Sequence, residues 1–150
     1  MKLAEALLVR ADYQEKIGLL QGRILANLKV EQDDAPQEDP NALLREACET
    51  NARLRELIKQ INARNSVAML PDGRTLAEAL ADRDALKKER ELLAAVAGQA
   101  MQKDYRLTHT ELKTRVTVPV AELQKRADDL SREHRELDAQ IQAVNWATEL

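Results

Sequence analysis

Arg10 and Arg83 stand where the three-and-four spacing of a helix calls for a core side chain. A guanidinium at such a position must find hydrogen-bonded partners or forfeit its solvation. If neighbouring helices run antiparallel, Asn62, Asn65, Asn145 and Trp146 fall at the same level, with Tyr13, Asp12 and Asp84 nearby. Two chemistries fit. One is a satisfied polar layer that fixes helix register, as a seam asparagine does in a coiled coil. The other is a pocket at one end for an anion or small ligand. Arg10 and Arg83 would then supply charge, Asn65, Asp84 and Asn145 polar groups, and Trp146 an apolar wall. Arg90, Asn51 and His134 form a second expected layer near mid-helix, in which His134 reads as a hydrogen-bonded core histidine.

Catalytic patterns do not emerge from the spacing. A di-iron helical site needs Glu-x-x-His pairs, and neither His109 nor His134 has a glutamate three residues before it. Glu46-x-x-Glu49 and Glu133-x-x-Glu136 have the spacing of divalent-metal carboxylates but lie off the apolar seams and read as solvated faces. Glycine-rich phosphate loops and Cys-x-x-Cys pairs are missing, and lone Cys48 reads as a small core or boundary residue. No catalytic residue, metal ligand or cofactor is expected, and the chain reads as a non-enzyme.

The elements that must position these residues are marked by proline. Pro36, Pro40, Pro71 and Pro119 all fall between segments of helical periodicity. They delimit four helices. The first, over residues 2–29, has the seam Leu3, Ala6, Arg10, Tyr13, Ile17, Leu20, Ile24 and Asn27. The acidic linker 31–40 follows, with five carboxylates and no basic partner. The second helix, 41–66, takes the seam Leu44, Ala47, Asn51, Leu54, Ile58, Ile61 and Asn65. Asp72-Gly73 predicts a positive-φ turn, and Thr75 with Glu78 a capping box that starts the third helix at Leu76. Its seam is Leu76, Ala79, Arg83, Leu86, Arg90, Leu93 and Ala97, and Gly98 is a candidate cap. The fourth follows Pro119 with Val120, Leu123, Ala127, Leu130, His134, Leu137, Ile141 and Val144. Between the last two, β-branched residues predict short strands at 105–108 and 112–118. The predicted fold is all-α: one domain over residues 1–150, an antiparallel up-down four-helix bundle of long helices with a small β excursion between helices 3 and 4.

Composition agrees with that class. Of 150 residues 33% are charged and 2% aromatic, with no Phe and one Cys, which excludes disulfide-stapled and cysteine-rich zinc modules. Net charge is -3 and the basic residues are scattered among carboxylates, so the electrostatic footprint of a nucleic-acid binder is missing. Glu5 and Arg10 interrupt what would be a signal-peptide core, and no stretch approaches the roughly 20 apolar residues of a membrane span. A cytoplasmic protein, with neither nucleic acid nor membrane as partner, is the expectation.

Gly18 and Gly22 inside the first helix each cost about 1 kcal/mol relative to alanine. They share a second face with Leu8, Ala11 and Leu25, interrupted by Glu15, that would let another helix approach closely. A homo-oligomer is therefore expected.

The chain resembles an uncharacterised bacterial family often labelled septicolysin. The matching segments are Arg10-Ala11-Asp12, Asp72-Gly73-Arg74-Thr75-Leu76 through Arg83-Asp84, Val120-Ala121-Glu122-Leu123-Gln124, and Arg135-Glu136-Leu137-Asp138 through Asn145-Trp146. Where that family has Asp before the last helix, this chain has Pro119, which removes a side-chain cap. The resemblance covers essentially the whole chain and carries over no active site. The favoured function is a non-catalytic helical scaffold or protein-interaction module that self-associates. A small-ligand or anion sensor using Arg10, Asn65, Arg83 and Trp146 is the alternative, and a prefoldin-like chaperone built on residues 76–147 is a third reading.

Overall fold

The computed structural model describes residues 1–102 and 114–150, which form four long helices. Helix α1 spans Leu3–Ala26, α2 Pro40–Asn65, α3 Leu76–Ala100 and α4 Val120–Ala147. Each start has a local cause. At α1 the Glu5 carboxylate accepts from the Lys2 N–H at 2.6 Å. Pro40 occupies the first turn of α2, where its missing N–H costs nothing, and Asp39 Oδ1 accepts from the Asn41 N–H at 2.9 Å. The expected capping box opens α3: Thr75 Oγ1 accepts from the Glu78 N–H at 3.2 Å, and Glu78 accepts from the Thr75 N–H at 2.8 Å. At α4 the Pro119 carbonyl accepts the Leu123 N–H at 3.0 Å.

The described residues divide into two compact units, 1–69 with 142–150, and 70–141. In the first, α1 and α2 pack as an antiparallel pair. Lys16 meets Glu46 at 2.6 Å and Arg23 meets Glu38, so partners descend along α2 as they ascend along α1. Asn27 closes the connection, donating from Nδ2 to the Arg23 carbonyl and accepting at Oδ1 from the Glu38 N–H. One carboxylate of the acidic linker, Glu38, thus has a basic partner where none was expected. The chain ends join here too: the Leu3 N–H donates to the Thr148 carbonyl, the Leu150 N–H to the Met1 carbonyl, and Lys2 Nζ meets Glu149 at 2.6 Å.

In the second unit the turn at Asp72-Gly73 leads into α3. Gly73 has φ of 88°, as the turn requires. Helices α3 and α4 again run antiparallel, with Arg83 on Asp138 at 2.9 Å and Glu89 on Arg126 at 3.6 Å. Leu70, Leu76, Leu130, Leu137 and Ile141 are buried there. Full burial of a Leu or Ile side chain contributes about 1.5–3 kcal/mol.

The expected seams of α1, α3 and α4 are the buried or half-buried positions observed. In α2 the seam is rotated. Leu43, Thr50 and Leu57 are buried, whereas Leu44 and Asn51 are exposed. The Thr50 hydroxyl satisfies itself by donating to the Glu46 carbonyl at 2.8 Å, so it can be buried without an external partner. An Asn51 amide would need more partners than a one-helix neighbourhood provides. Gly98 is no cap: α3 continues to Ala100 and Met101 ends it. No strand is present at 114–119, where Val116 stands exposed and Pro119 lacks an N–H for a ladder. The rest of the expected β excursion, 105–108 and 112–113, lies outside the described residues.

Candidate functional site

The six expected site residues separate between the units. Arg10, Asn65, Asn145 and Trp146 belong to the unit of residues 1–69 and 142–150, and Arg83 and Asp84 to that of 70–141. Arg83 is neutralised within its own unit. Its Nη1 donates to Asp138 Oδ1 at 2.9 Å and its Nη2 to Asp84 Oδ1 at 3.3 Å, and its side chain is half-buried. Asp138 was the missed residue. It lies on α4, 55 positions away, and only helix pairing shows that the two meet. Asp84 was the partner visible from sequence, because it is adjacent.

Arg10 differs. Its Nε is buried and has no hydrogen-bond partner among the described residues. Asn145 is buried, Asn65 half-buried, and Trp146 is 55% exposed where an apolar wall was expected. Of the second expected layer, Arg90 and His134 are half-buried and Asn51 faces outward.

Other residues line concavities inside each unit. An open groove of ≈ 460 Å³ between α3 and α4 is bordered by Arg74, Asp82, Leu86, Glu89, Glu133 and Glu136. Arg74 is already engaged: it holds Asp72 at 2.6 Å and Asp82 at 2.6 Å. Its hydrogen bonds to Asp72 and then Asp82 raise its pKa above the ordinary arginine value, and the same contact holds the Asp72 carboxyl below its own. Arg126 reaches Glu133 at 3.0 Å and Glu89 at 3.6 Å. Among the described residues no group of three or more His, Cys, Asp or Glu has the geometry to hold a metal ion. A second groove of ≈ 460 Å³ lies between α1 and α2, bordered by Val9, Tyr13, Arg53, Glu56, Leu57 and Gln60.

The outer face of α1 carries the most exposed apolar surface of that helix. Leu8 is 60%, Leu19 63% and Leu25 60% exposed. A methyl group added at Gly18 or Gly22 meets nothing within 4 Å among the described residues. At 100° per residue, Leu8, Ala11, Gly18, Gly22 and Leu25 share an arc of about 100°, opposite the buried Ala6 and Leu20, and the buried Ala4 falls within that arc. Helix α1 is therefore apolar on both sides, a pattern that in soluble proteins accompanies burial on both sides.

A model of a family of unknown function, DUF6847, matches residues 10–150. The chain belongs to the DUF6847 family. A DUF6847 assignment names relatives and leaves the activity open. In fold, this DUF6847 chain is similar to a functionally unknown conserved protein from Corynebacterium diphtheriae, known from its crystal structure. The two are 40% identical, with a TM-score of 0.93, over 100% of this chain and 98% of the other. No curated protein matches the chain. Among the described residues no helix is long and apolar enough to cross a membrane.

Proposed function

We propose that the protein is a non-catalytic helical interaction module that assembles with itself. The observation that carries this reading is the outer face of α1, where three leucines are about three-fifths exposed beside two glycines whose cost is not repaid inside the protomer. Interior glycine with open space above it is unfavourable unless another backbone comes close, and exposed leucines along one stripe gain only if something covers them. A scaffold or adaptor role follows from such a face. Sedimentation equilibrium from about 1 to 500 µM tests the reading, a span centred on the micromolar range of weak interfaces. The expected result is an average mass rising with concentration; a monomer mass across the whole range refutes it.

The sensor reading keeps one supporting observation, the unpartnered Arg10 Nε. An anion that accepts from it would raise the melting temperature of the wild type and leave Arg10→Met unmoved. Equal shifts in both proteins, or none in either, with phosphate, sulfate and carboxylate ligands would remove that reading.

A further inference from the structure

The turn that opens the unit of residues 70–141 joins a reactive dipeptide to an arginine. Among the aspartates of the chain, Asp72 alone is followed by glycine. In an Asp-Gly pair the main-chain nitrogen can reach the preceding side chain, because glycine has no Cβ to block the approach. Both residues are exposed to the water that the reaction needs. We propose that Asp72 is a site of backbone isomerisation, aspartate to isoaspartate, and that Arg74 is the residue that keeps the site closed in the folded protein.

Water is the only other reactant. The Gly73 nitrogen gives up its proton and attacks Asp72 Cγ. The new N–Cγ bond closes a five-membered succinimide as one carboxyl oxygen leaves as water. A second water then opens the ring. When it adds at the former main-chain carbonyl, that carbon becomes a free carboxylate and the chain runs on through Cγ. One water has left and one has entered, so the mass is unchanged, but the main chain is longer by a methylene.

The fold opposes each part of that step. The nucleophile is tied down, since the Gly73 N–H donates to the Leu70 carbonyl at 3.0 Å. The electrophile is drawn past Gly73 to the next residue. Asp72 Oδ1 accepts from the Arg74 N–H at 3.0 Å, and Oδ2 accepts from Arg74 Nε at 3.0 Å and Nη2 at 2.6 Å. Water leaves from the protonated acid, and the same arginine holds the Asp72 carboxyl below its ordinary value and so ionised. Asp82 fixes the arginine in turn, accepting from its Nη1 at 2.6 Å. The damage would be local and specific. An added methylene at 72 breaks the turn in which the Leu70 N–H donates to the Arg74 carbonyl at 2.9 Å, between buried Leu70 and buried Leu76 at the start of α3.

Protein held at neutral pH for several weeks, folded in buffer or unfolded in guanidinium chloride, tests this. Trypsin releases residues 65–74, or 65–83 in Arg74→Gln, and electron-transfer fragmentation distinguishes isoaspartate from aspartate at 72. Deamidation of Asn65 in the same peptide changes the mass and is set apart. The unfolded rate divided by the folded rate is the protection, and the ratio cancels the intrinsic reactivity of each sequence. For the wild type it should be about tenfold or more, because opening the turn breaks several hydrogen bonds. Arg74→Gln should lower it by about two- to fivefold, the range of an exposed ion pair. Arg74→Lys keeps the charge without the fork and should recover part of the loss. No isoaspartate at 72 in the unfolded chain overturns the site. A wild-type ratio near one overturns its closure by the fold. An unchanged ratio in Arg74→Gln, or a lower one in Arg74→Lys than in Arg74→Gln, overturns the part given to Arg74. Should Arg74→Gln lose its helical circular dichroism, the folded wild type in about 1 M NaCl decides. Screening of the exposed pair should lower its protection, and protection that holds refutes the arginine's part.

Discussion

Gly18→Ala and Gly22→Ala should each stabilise the protomer, by about 1 kcal/mol. Both positions lie inside α1, and Gly73 is the glycine of positive φ among the described residues, so neither has a backbone conformation that alanine would strain. Among the described residues an added Cβ meets nothing within 4 Å at either site, which removes the overpacking cost that often cancels such gains. What is left is the propensity difference and the lower entropy of the unfolded chain. The two sites lie one turn apart on the same face, where added methyl groups stand about 5–6 Å apart and do not clash, so the double variant should gain about 2 kcal/mol. For a chain of this length 1 kcal/mol moves the melting temperature by about 2–4 °C, which gives about 4–8 °C for the pair. Thermal melts followed by helical circular dichroism at about 1 µM, below the association range of a weak interface, isolate the protomer. Gly73→Ala is the internal contrast. Its space is equally open, but φ of 88° places the methyl in the left-handed region, and a loss of about 1–2 kcal/mol is expected. A fall in melting temperature for Gly18→Ala or Gly22→Ala would mean that those glycines serve a close approach within the protomer, and the argument from open space would fail.

Thr75→Ala removes the hydroxyl that accepts the Glu78 N–H and should cost about 1 kcal/mol in urea denaturation; a change within error would deny the capping box a role in stability. Ile141→Ala opens a void at a fully buried site and should cost about 2–5 kcal/mol, and a loss below 1 kcal/mol would mean that the site is not a packed core. The pH response has a definite sign. Hydrogen bonds from Arg74, Lys16 and Arg23 hold the carboxyls of Asp72, Glu46 and Glu38 below their ordinary values, and the Thr75 amide does the same for Glu78. Folded values below unfolded ones mean that the stabilisation is complete above the unfolded values of 4.5 for Glu and 3.8 for Asp and is lost as pH falls through the folded ones. The urea midpoint should hold from pH 7 to about 5 and decline below 4. All of these groups are solvent-facing, so the decline should be modest and smaller in high salt; a midpoint that climbs below pH 4 would contradict the pairings.

The seams of α1, α3 and α4 were legible because apolar periodicity is a local property: each residue's angle around its own helix follows from its number alone. The same holds for the punctuation at Asp39-Pro40, Asp72-Gly73 and Thr75-Glu78, where the capping oxygen and the N–H that donates to it lie within three residues. In α2 two adjacent stripes share Ala47, Leu54 and Ile61, and pattern could not choose between Leu44 with Asn51 and Leu43 with Thr50. Packing against α1 chose the second, because Thr50 disposes of its own hydroxyl on the Glu46 carbonyl.

The candidate site divides along the same line. Arg10 and Arg83 on core stripes, and the glycines and leucines on a second face of α1, were determined by the sequence, since both statements concern one helix at a time. Which charges meet was decided by the tertiary structure alone. Arg83 finds Asp138 across α3 and α4, Arg23 finds Glu38 across the α1–α2 connection, and Arg10 Nε finds no acceptor among the described residues. Helix pairing brings distant positions within 3 Å, and ion pairing depends on that distance and on exposure, neither of which a helical repeat encodes.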